Sequence, residues 1–163
     1  MSGAKNSHLR VIGVGQEWRG DDAAGLLVAR QVREMGGAGV AVLENSGAAA
    51  DLMAAWQRAE AVILADAVQG GGQPGEIFRF PVHERPLPVE LFPATSSHAW
   101  GVAQAAALGR VLGQLPPYLV VYGIEGRNFG LGQDLSPEVA RAVPEVARRI
   151  IREIEAYLSS RKI

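Results

Sequence analysis

The sequence predicts one α/β domain in three layers, with a twisted, mostly parallel sheet of about five strands and helices on both faces. Two observations favour this fold. Runs of strand length such as residues 61–68 are uniformly apolar, which is typical of strands covered on both faces. Segments with helical periodicity separate these runs, and strands connected through helices pair in parallel. Because no internal repeat or low-complexity linker divides the chain, residues 1–163 are expected to form a single domain with a flexible leader at residues 1–8.

The individual elements follow from local patterns along the chain. Residues 77–82 alternate in character, which favours a place near a sheet edge. Ser96 or Ser97 can cap the third helix. Pro144 cannot donate to the carbonyl of Ala140, so the closing helix is expected to kink or split there. The predicted strands are residues 9–15, 40–44, 61–68, 77–82 and 118–124, and the predicted helices are residues 22–35, 48–59, 96–113 and a closing helix that begins at Ser136-Pro137 and reaches Leu158.

The composition excludes several kinds of partner and site. A net charge of −1 gives no general attraction to nucleic acid or to an anionic membrane. Cysteine is absent, so disulfides and thiolate metal sites are excluded. No apolar run approaches the roughly 20 residues that span a bilayer, and the polar N-terminal segment lacks the apolar stretch of a secretory signal. We therefore expect a cytoplasmic protein with no nucleic-acid partner and no membrane insertion.

Candidate functional residues follow the strands or open the helices of this predicted sheet. Asp21 and Asp22 follow the glycine turn in VIGVGQEWRGDD, Asp66 interrupts an apolar strand, and His98 begins the third helix. Sheets of this kind bind ligands beyond the carboxyl ends of their strands, so these side chains are expected at one edge. Two carboxylates and an imidazole form a ligand set that suits nickel or zinc. Taken singly, each residue also has a structural interpretation as a helix-dipole partner, a cap or a packed side chain.

A nucleotide-binding module of the Rossmann type is a second interpretation. The glycine turn at residues 13–15 follows the first strand, and Glu44 ends the second, where a ribose-binding acid would stand. Trp18 occupies the place of the third glycine of that fingerprint, and the acids at the helix N-terminus oppose a pyrophosphate. The two other histidines, His8 and His83, are expected to be solvated.

Four segments, VIGVGQEWRGDDAAG, LADAV, SSHAWG and LSPEVARAVPEV, together resemble the hydrogenase maturation endopeptidase family. The resemblance implies an aspartyl-type endopeptidase that removes a C-terminal extension from the large-subunit precursor of a [NiFe]-hydrogenase after nickel insertion. It assigns Asp22, Asp66 and His98 as catalytic and metal-contacting residues. Nickel arrives bound to the precursor, and another divalent ion such as zinc or cadmium is a possible ligand in vitro. The chain itself is expected to be a monomer or a weak oligomer.

Departures from the family pattern concern loops that would contact the substrate. Gln16 stands where the family usually has Asn, and NSGAA follows the second strand in place of a Gly-Gly-Thr-like turn. A groove for the C-terminal segment of the precursor is one interpretation of Glu17, Trp18, Arg19 and Trp100. Packing of both tryptophans between helices is the alternative. A third interpretation of the whole chain is a non-catalytic assembly factor that binds the precursor and leaves it uncut.

Overall fold

The centre of the protein is a sheet of five strands. A computed structural model describes residues 8–37, 39–92 and 97–161, without the side chains of residues 89 and 97–100. The strands are β1 (Leu9–Val14), β2 (Val40–Asn45), β3 (Ala61–Val68), β4 (Ile77–Pro81) and β5 (Tyr118–Glu125). They lie in the order β2-β1-β3-β5-β4, and the last pair is antiparallel while the others are parallel. The predicted fold class is confirmed, as is the edge position of the fourth strand.

Helices cover both faces of the sheet, as the sequence predicts. The helices are α1 (Ala24–Met35), α2 (Ala49–Trp56), α3 (Ser97–Leu112) and α4 (Pro137–Ser160). One face packs against α1 and α4 through residues such as Val28 and Ile150, and the other packs against α2 and α3 through residues such as Leu52 and Val102. The predicted flexible leader falls almost entirely outside the described residues.

One glycine of β1 and one of α1 allow the helix to lie directly against the sheet. A Cβ atom at Gly13 would stand 2.3 Å from the carbonyl oxygen of Gly25, and one at Gly25 would stand 2.2 Å from that of Val14. Any side chain at either position would force the helix away from β1. These glycines therefore serve close packing of helix on strand.

Two features of α4 differ in part from what the sequence predicts. The closing helix is not split at Pro144, because α4 runs without interruption and the buried Val143 and Val146 hold the turns around the proline against the sheet. Ser136 does occupy the N-cap position, but its hydroxyl makes no capping hydrogen bond and instead donates to Asp21 at 2.6 Å. The proposed cap at Ser96 lies outside the described residues.

The strand order places a crevice between the carboxyl ends of β1 and β3. From β1 the chain moves outward to β2 on one side, and then returns to place β3 on the other side of β1. The connections on the two sides of this point run in opposite directions, which leaves space between the strand ends. Ligands of open α/β sheets bind at such switch points.

Candidate functional site

Asp22 lies at the β1 side of the crevice. It belongs to a short 3₁₀ turn, Gly20–Ala23, that joins β1 to α1, and only 7% of the residue is exposed. The turn folds back on the strand end, because the N–H of Gln16 donates to the carbonyl oxygen of Asp22 at 3.3 Å. A Cβ atom at Gly15 would stand 2.1 Å from that same oxygen, so glycine is required there for the approach.

Asp66 lies at the β3 side of the crevice and is 1% exposed. The pairing of β1 with β3 ends at Gly13 and Ala65, so Asp66 is the first residue of β3 beyond it. Its side chain is on the face covered by α2 and α3, since residues two apart in a strand share a face and Leu64 packs there. One carboxylate oxygen accepts the N–H of Ala67 at 2.8 Å.

His98 belongs to the first turn of α3, and its side chain lies outside the described part of the structure. The backbone of this turn is nevertheless at the same edge of the sheet. A Cβ atom at Gly101 would stand 1.8 Å from the carbonyl oxygen of Gly47, in the loop that follows β2. That loop starts beside the end of β1, because the N–H of Gly15 donates to the carbonyl of Asn45, the last residue of β2, at 3.1 Å.

The structure therefore brings Asp22, Asp66 and the backbone around His98 to one edge, at the switch point. No cluster of three His, Cys, Asp or Glu side chains that would hold a metal is found among the residues whose side chains are described. The predicted set of three ligands stays a prediction, since its imidazole is not among those side chains.

Asp21, the neighbour of Asp22, has a different role. Its fully buried carboxylate accepts hydrogen bonds from the N–H groups of Arg127, Asn128 and Ser136 at 2.7, 2.9 and 2.7 Å. Burial by itself raises the pKa of Asp21, but the hydrogen bonds from Asn128, Ser136 and Arg127 outweigh burial and hold the pKa below its ordinary value. Asp21 thus fastens the loop between β5 and α4 to the site.

Glu125 is a buried acid at the carboxyl edge of the sheet that sequence reasoning missed. It ends β5, and its carboxylate accepts the N–H groups of Gly70 and Gly72 at 3.0 and 3.1 Å. It thereby holds the start of the loop that follows β3. The signal for it was in the sequence, since an acid ending the apolar run of residues 118–124 is the same pattern that singled out Asp66.

The structure argues against Glu44 as the ribose-binding acid of the nucleotide-binding interpretation. Glu44 forms salt bridges with Arg30 at 2.8 Å and with Arg33 at 3.4 Å. The hydrogen bond from Arg30 is the main cause that lowers the pKa of Glu44. An acid held by two guanidinium groups is a poor acceptor for a ribose hydroxyl.

Two aromatic residues differ from expectation. Trp18 is 78% exposed, so its packing between helices is excluded. His83 is mostly buried, with 19% of its side chain exposed, because its ring stacks on Tyr118 with centroids 4.6 Å apart and its Nδ1 atom lies 3.1 Å from the carbonyl oxygen of Leu119. The side chain of Trp100 lies outside the described residues, so its part in a groove stays untested.

Comparison with known proteins defines the class of this chain. The family model HycI, hydrogenase maturation protease, matches residues 27–153, so the chain belongs to the hydrogenase maturation protease family. The predicted family and enzyme class, a hydrogenase maturation endopeptidase, are confirmed. The matched range includes Asp66 and His98 and begins after Asp22. None of the curated proteins matches the sequence.

Solved structures share this fold across most of their length. The hydrogenase maturating endopeptidase HybD from Escherichia coli superposes with a TM-score of 0.79 at 20% identity, covering 91% of this chain and 93% of the other. The [NiFe] hydrogenase maturation protease HycI from Thermococcus kodakarensis KOD1 gives a TM-score of 0.64 at 23% identity, with coverages of 88% and 90%. The hydrogenase 2 maturation peptidase from Thaumarchaeota archaeon SCGC_AB-539-E09 gives 0.62 at 23% identity, with coverages of 90% and 97%. In the described part of this chain, no helix is both long and apolar enough to cross a bilayer.

Proposed function

We propose that this protein removes the C-terminal extension from the large-subunit precursor of a [NiFe]-hydrogenase after nickel insertion, and that it recognises the nickel carried by that substrate. The observation that carries the proposal is the placement of two buried carboxylates, Asp22 and Asp66, beside the switch-point crevice of a hydrogenase maturation protease. We propose that the reaction takes place in the cytoplasm, the location expected from the sequence.

Electrostatics supports a cation as the ligand of this crevice. Burying a carboxylate is costly unless hydrogen bonds or an opposite charge compensate for it. Asp66 is 1% exposed within a strand whose other residues are apolar, and one of its carboxylate oxygens accepts the N–H of Ala67 at 2.8 Å. An incoming divalent cation would offset part of this cost, whereas a phosphate would add to it. The crevice is therefore suited to a positively charged feature of the substrate.

The types of ligand support recognition of a nickel ion that the precursor already holds. In the proposed reaction the precursor supplies thiolates, and Asp22, Asp66 and His98 add weaker oxygen and nitrogen ligands at open positions of the metal. This chain contains no cysteine, so it has no thiolate with which to compete for the ion. The carboxylates and the imidazole would thus test whether nickel is present without removing it.

The deciding experiment is cleavage of purified precursor, in nickel-loaded and nickel-free forms, followed by mass spectrometry. The proposal expects the loss of a C-terminal peptide only from the nickel-loaded form. Asp66→Asn should block this cleavage, while Asp51→Asn, which alters an exposed aspartate of α2, should leave it unchanged. Equal cleavage of both forms would overturn the role of nickel. An intact precursor that stays bound would favour the assembly-factor interpretation.

A further inference from the structure

Two loops at the carboxyl edge present large apolar side chains to solvent. Trp18, in the loop between β1 and α1, is 78% exposed, and Leu131, in the loop between β5 and α4, is 74% exposed. The two loops touch, because the N–H of Gly132 donates to the carbonyl oxygen of Trp18 at 2.6 Å. We call Trp18 and Leu131 together the edge platform.

The backbone of Trp18 is held in a conformation that a bulky residue rarely adopts. Its φ angle is 68°, in the left-handed region where the Cβ atom crowds the backbone. Strain of this kind persists only where the surrounding structure imposes it, and such positions cluster at binding and catalytic sites. Trp18 thus combines a strained backbone with an aromatic ring exposed to water. Neither feature stabilises the fold.

Buried groups beneath the platform hold it in place. Asp21 lies three residues after Trp18, and its backbone N–H donates to the carbonyl oxygen of Asn128 at 2.7 Å. Its carboxylate accepts the N–H groups of Arg127, Asn128 and Ser136. A Cβ atom at Gly20 would stand 2.3 Å from the oxygen of Asn128, so the two loops meet at backbone contact. Both loops are therefore fixed to the same buried carboxylate.

We propose that the edge platform is the docking surface for the polypeptide of the nickel-carrying precursor, and that it takes an apolar side chain of that polypeptide beside Asp22. This inference rests on the proposed function and names the part of the protein that contacts the substrate outside the metal. The occupant follows from continuity with the crevice. The N–H of Asp22 donates to the carbonyl oxygen of Arg19 at 3.2 Å, so Trp18 stands directly before the turn that holds Asp22, and a macromolecule that delivers a metal to Asp22 approaches the same loop.

The chemistry of the platform matches an apolar anchor on the docking polypeptide. Tryptophan is among the residues that contribute most to protein–protein affinity, because it combines a large apolar area with few rotatable bonds. The exposed Glu17 and Arg19 stand on either side of Trp18, so charges of both signs border the platform, and Glu17 is paired with Arg30 at 2.8 Å.

The test compares platform variants in the cleavage of nickel-loaded precursor. Trp18→Gly removes the ring at a φ that glycine adopts readily, so folding is retained and the melting temperature should stay close to that of the wild type. For Trp18→Gly and Leu131→Ala we expect KM to rise, by about tenfold or more for Trp18, with kcat within about twofold. The matched control is Val111→Ala, which truncates a side chain of 82% exposure near the end of α3. It should leave both constants unchanged.

Several outcomes would overturn the docking proposal. An unchanged KM in both platform variants, with normal cleavage, would overturn it while leaving the proposed function standing. Light scattering provides the second measurement. A wild-type dimer that becomes monomeric in Trp18→Gly would assign the platform to contact between two copies, against the proposal.

A binding measurement separates failure of docking from failure of the proposed function. Precursor added to the wild type should shift the emission of the exposed Trp18 indole to shorter wavelength, and this part of the signal should vanish in Trp18→Phe. Such a shift without cleavage would support docking and contradict the proposed protease reaction. Cleavage with no Trp18-dependent shift would support the reaction and contradict docking.

Discussion

Buried carboxylates stabilise this protein in two regions, and the donors around them differ in kind. Between α4 and the sheet, Glu153 accepts hydrogen bonds from side chains only among its described contacts. The guanidinium of Arg79 donates to it at 2.9 and 2.6 Å, and the hydroxyls of Tyr118 and Tyr122 also donate to it. These donors come from β4 and β5, so the network attaches a helix to two strands.

At the carboxyl edge of the sheet, the donors to buried acids are mostly backbone N–H groups of loops. Asp21 accepts three from the loop between β5 and α4, and Glu125 accepts those of Gly70 and Gly72 after β3. Side-chain donors fix the distance between two elements, whereas backbone donors fix the path of a loop. The acids of this edge therefore shape the surroundings of the crevice that Asp22 and Asp66 border.

The largest expected effect concerns Asp66, which the proposal places in contact with the nickel carried by the substrate. Asp66→Asn keeps the shape of the side chain and removes its charge, so cleavage of nickel-loaded precursor should fall on the order of 10³-fold, the scale of lost charge stabilisation in a buried site. The far-ultraviolet circular dichroism should match that of the wild type. A well-folded variant with full activity would show that Asp66 is only structural.

The next effect, on stability, concerns the acid that fastens the loops. Asp21→Asn replaces an acceptor of four hydrogen bonds with an amide, and we expect a loss of about 2–4 kcal/mol in the free energy of unfolding because buried donors lose their partner. Urea denaturation measures it. Asp134→Asn, in the same loop but exposed, is the control and should change stability little. Equal stability of both variants would contradict the fastening role.

A smaller effect, which depends on pH, is expected in the network around Glu153. Burial by itself raises the pKa of Glu153, but Arg79, Tyr118 and Tyr122 outweigh it and lower the pKa to about 2. Because an unfolded glutamate titrates near 4.3, this network stabilises the fold above about pH 4.3, and the stabilisation is lost as the pH falls toward 2. Glu153→Gln should cost about 1–3 kcal/mol at pH 7.

Urea unfolding at several pH values checks this expectation. The difference in stability between wild type and Glu153→Gln should shrink steadily between about pH 4.3 and 2. Glu155→Gln, an exposed glutamate of the same helix, is the matched control and should show no comparable acid dependence. A constant difference from pH 7 to pH 2 would contradict the assignment.

The smallest expected effect is local and concerns Glu125. Glu125→Gln leaves one acceptor oxygen for the N–H groups of Gly70 and Gly72, and should cost about 1–2 kcal/mol. Hydrogen exchange at these two glycines should become faster, while exchange in α4 stays as in the wild type. If the exchange of both glycines were unaltered, backbone contacts elsewhere would be holding the loop.

The sequence by itself determined the fold class, the positions of the strands and helices, and the family. Strands buried on both faces need uniformly apolar runs, and α1 needs glycines where it meets β1, so these features are written in local patterns. The family motifs likewise lie in short continuous segments, and the rule on strand ends directed attention to Asp22 and Asp66.

Only the tertiary structure decided what neighbouring polar residues do. The family resemblance singled out Asp22, but nothing local shows what Asp21 does, because the partners of Asp21 lie more than a hundred residues away in the chain. The exposure of Trp18 also depends on which loops fold beside it. A carboxylate or an aromatic ring takes its role from the donors and surfaces around it, and the folded chain assembles these from segments that the sequence keeps apart.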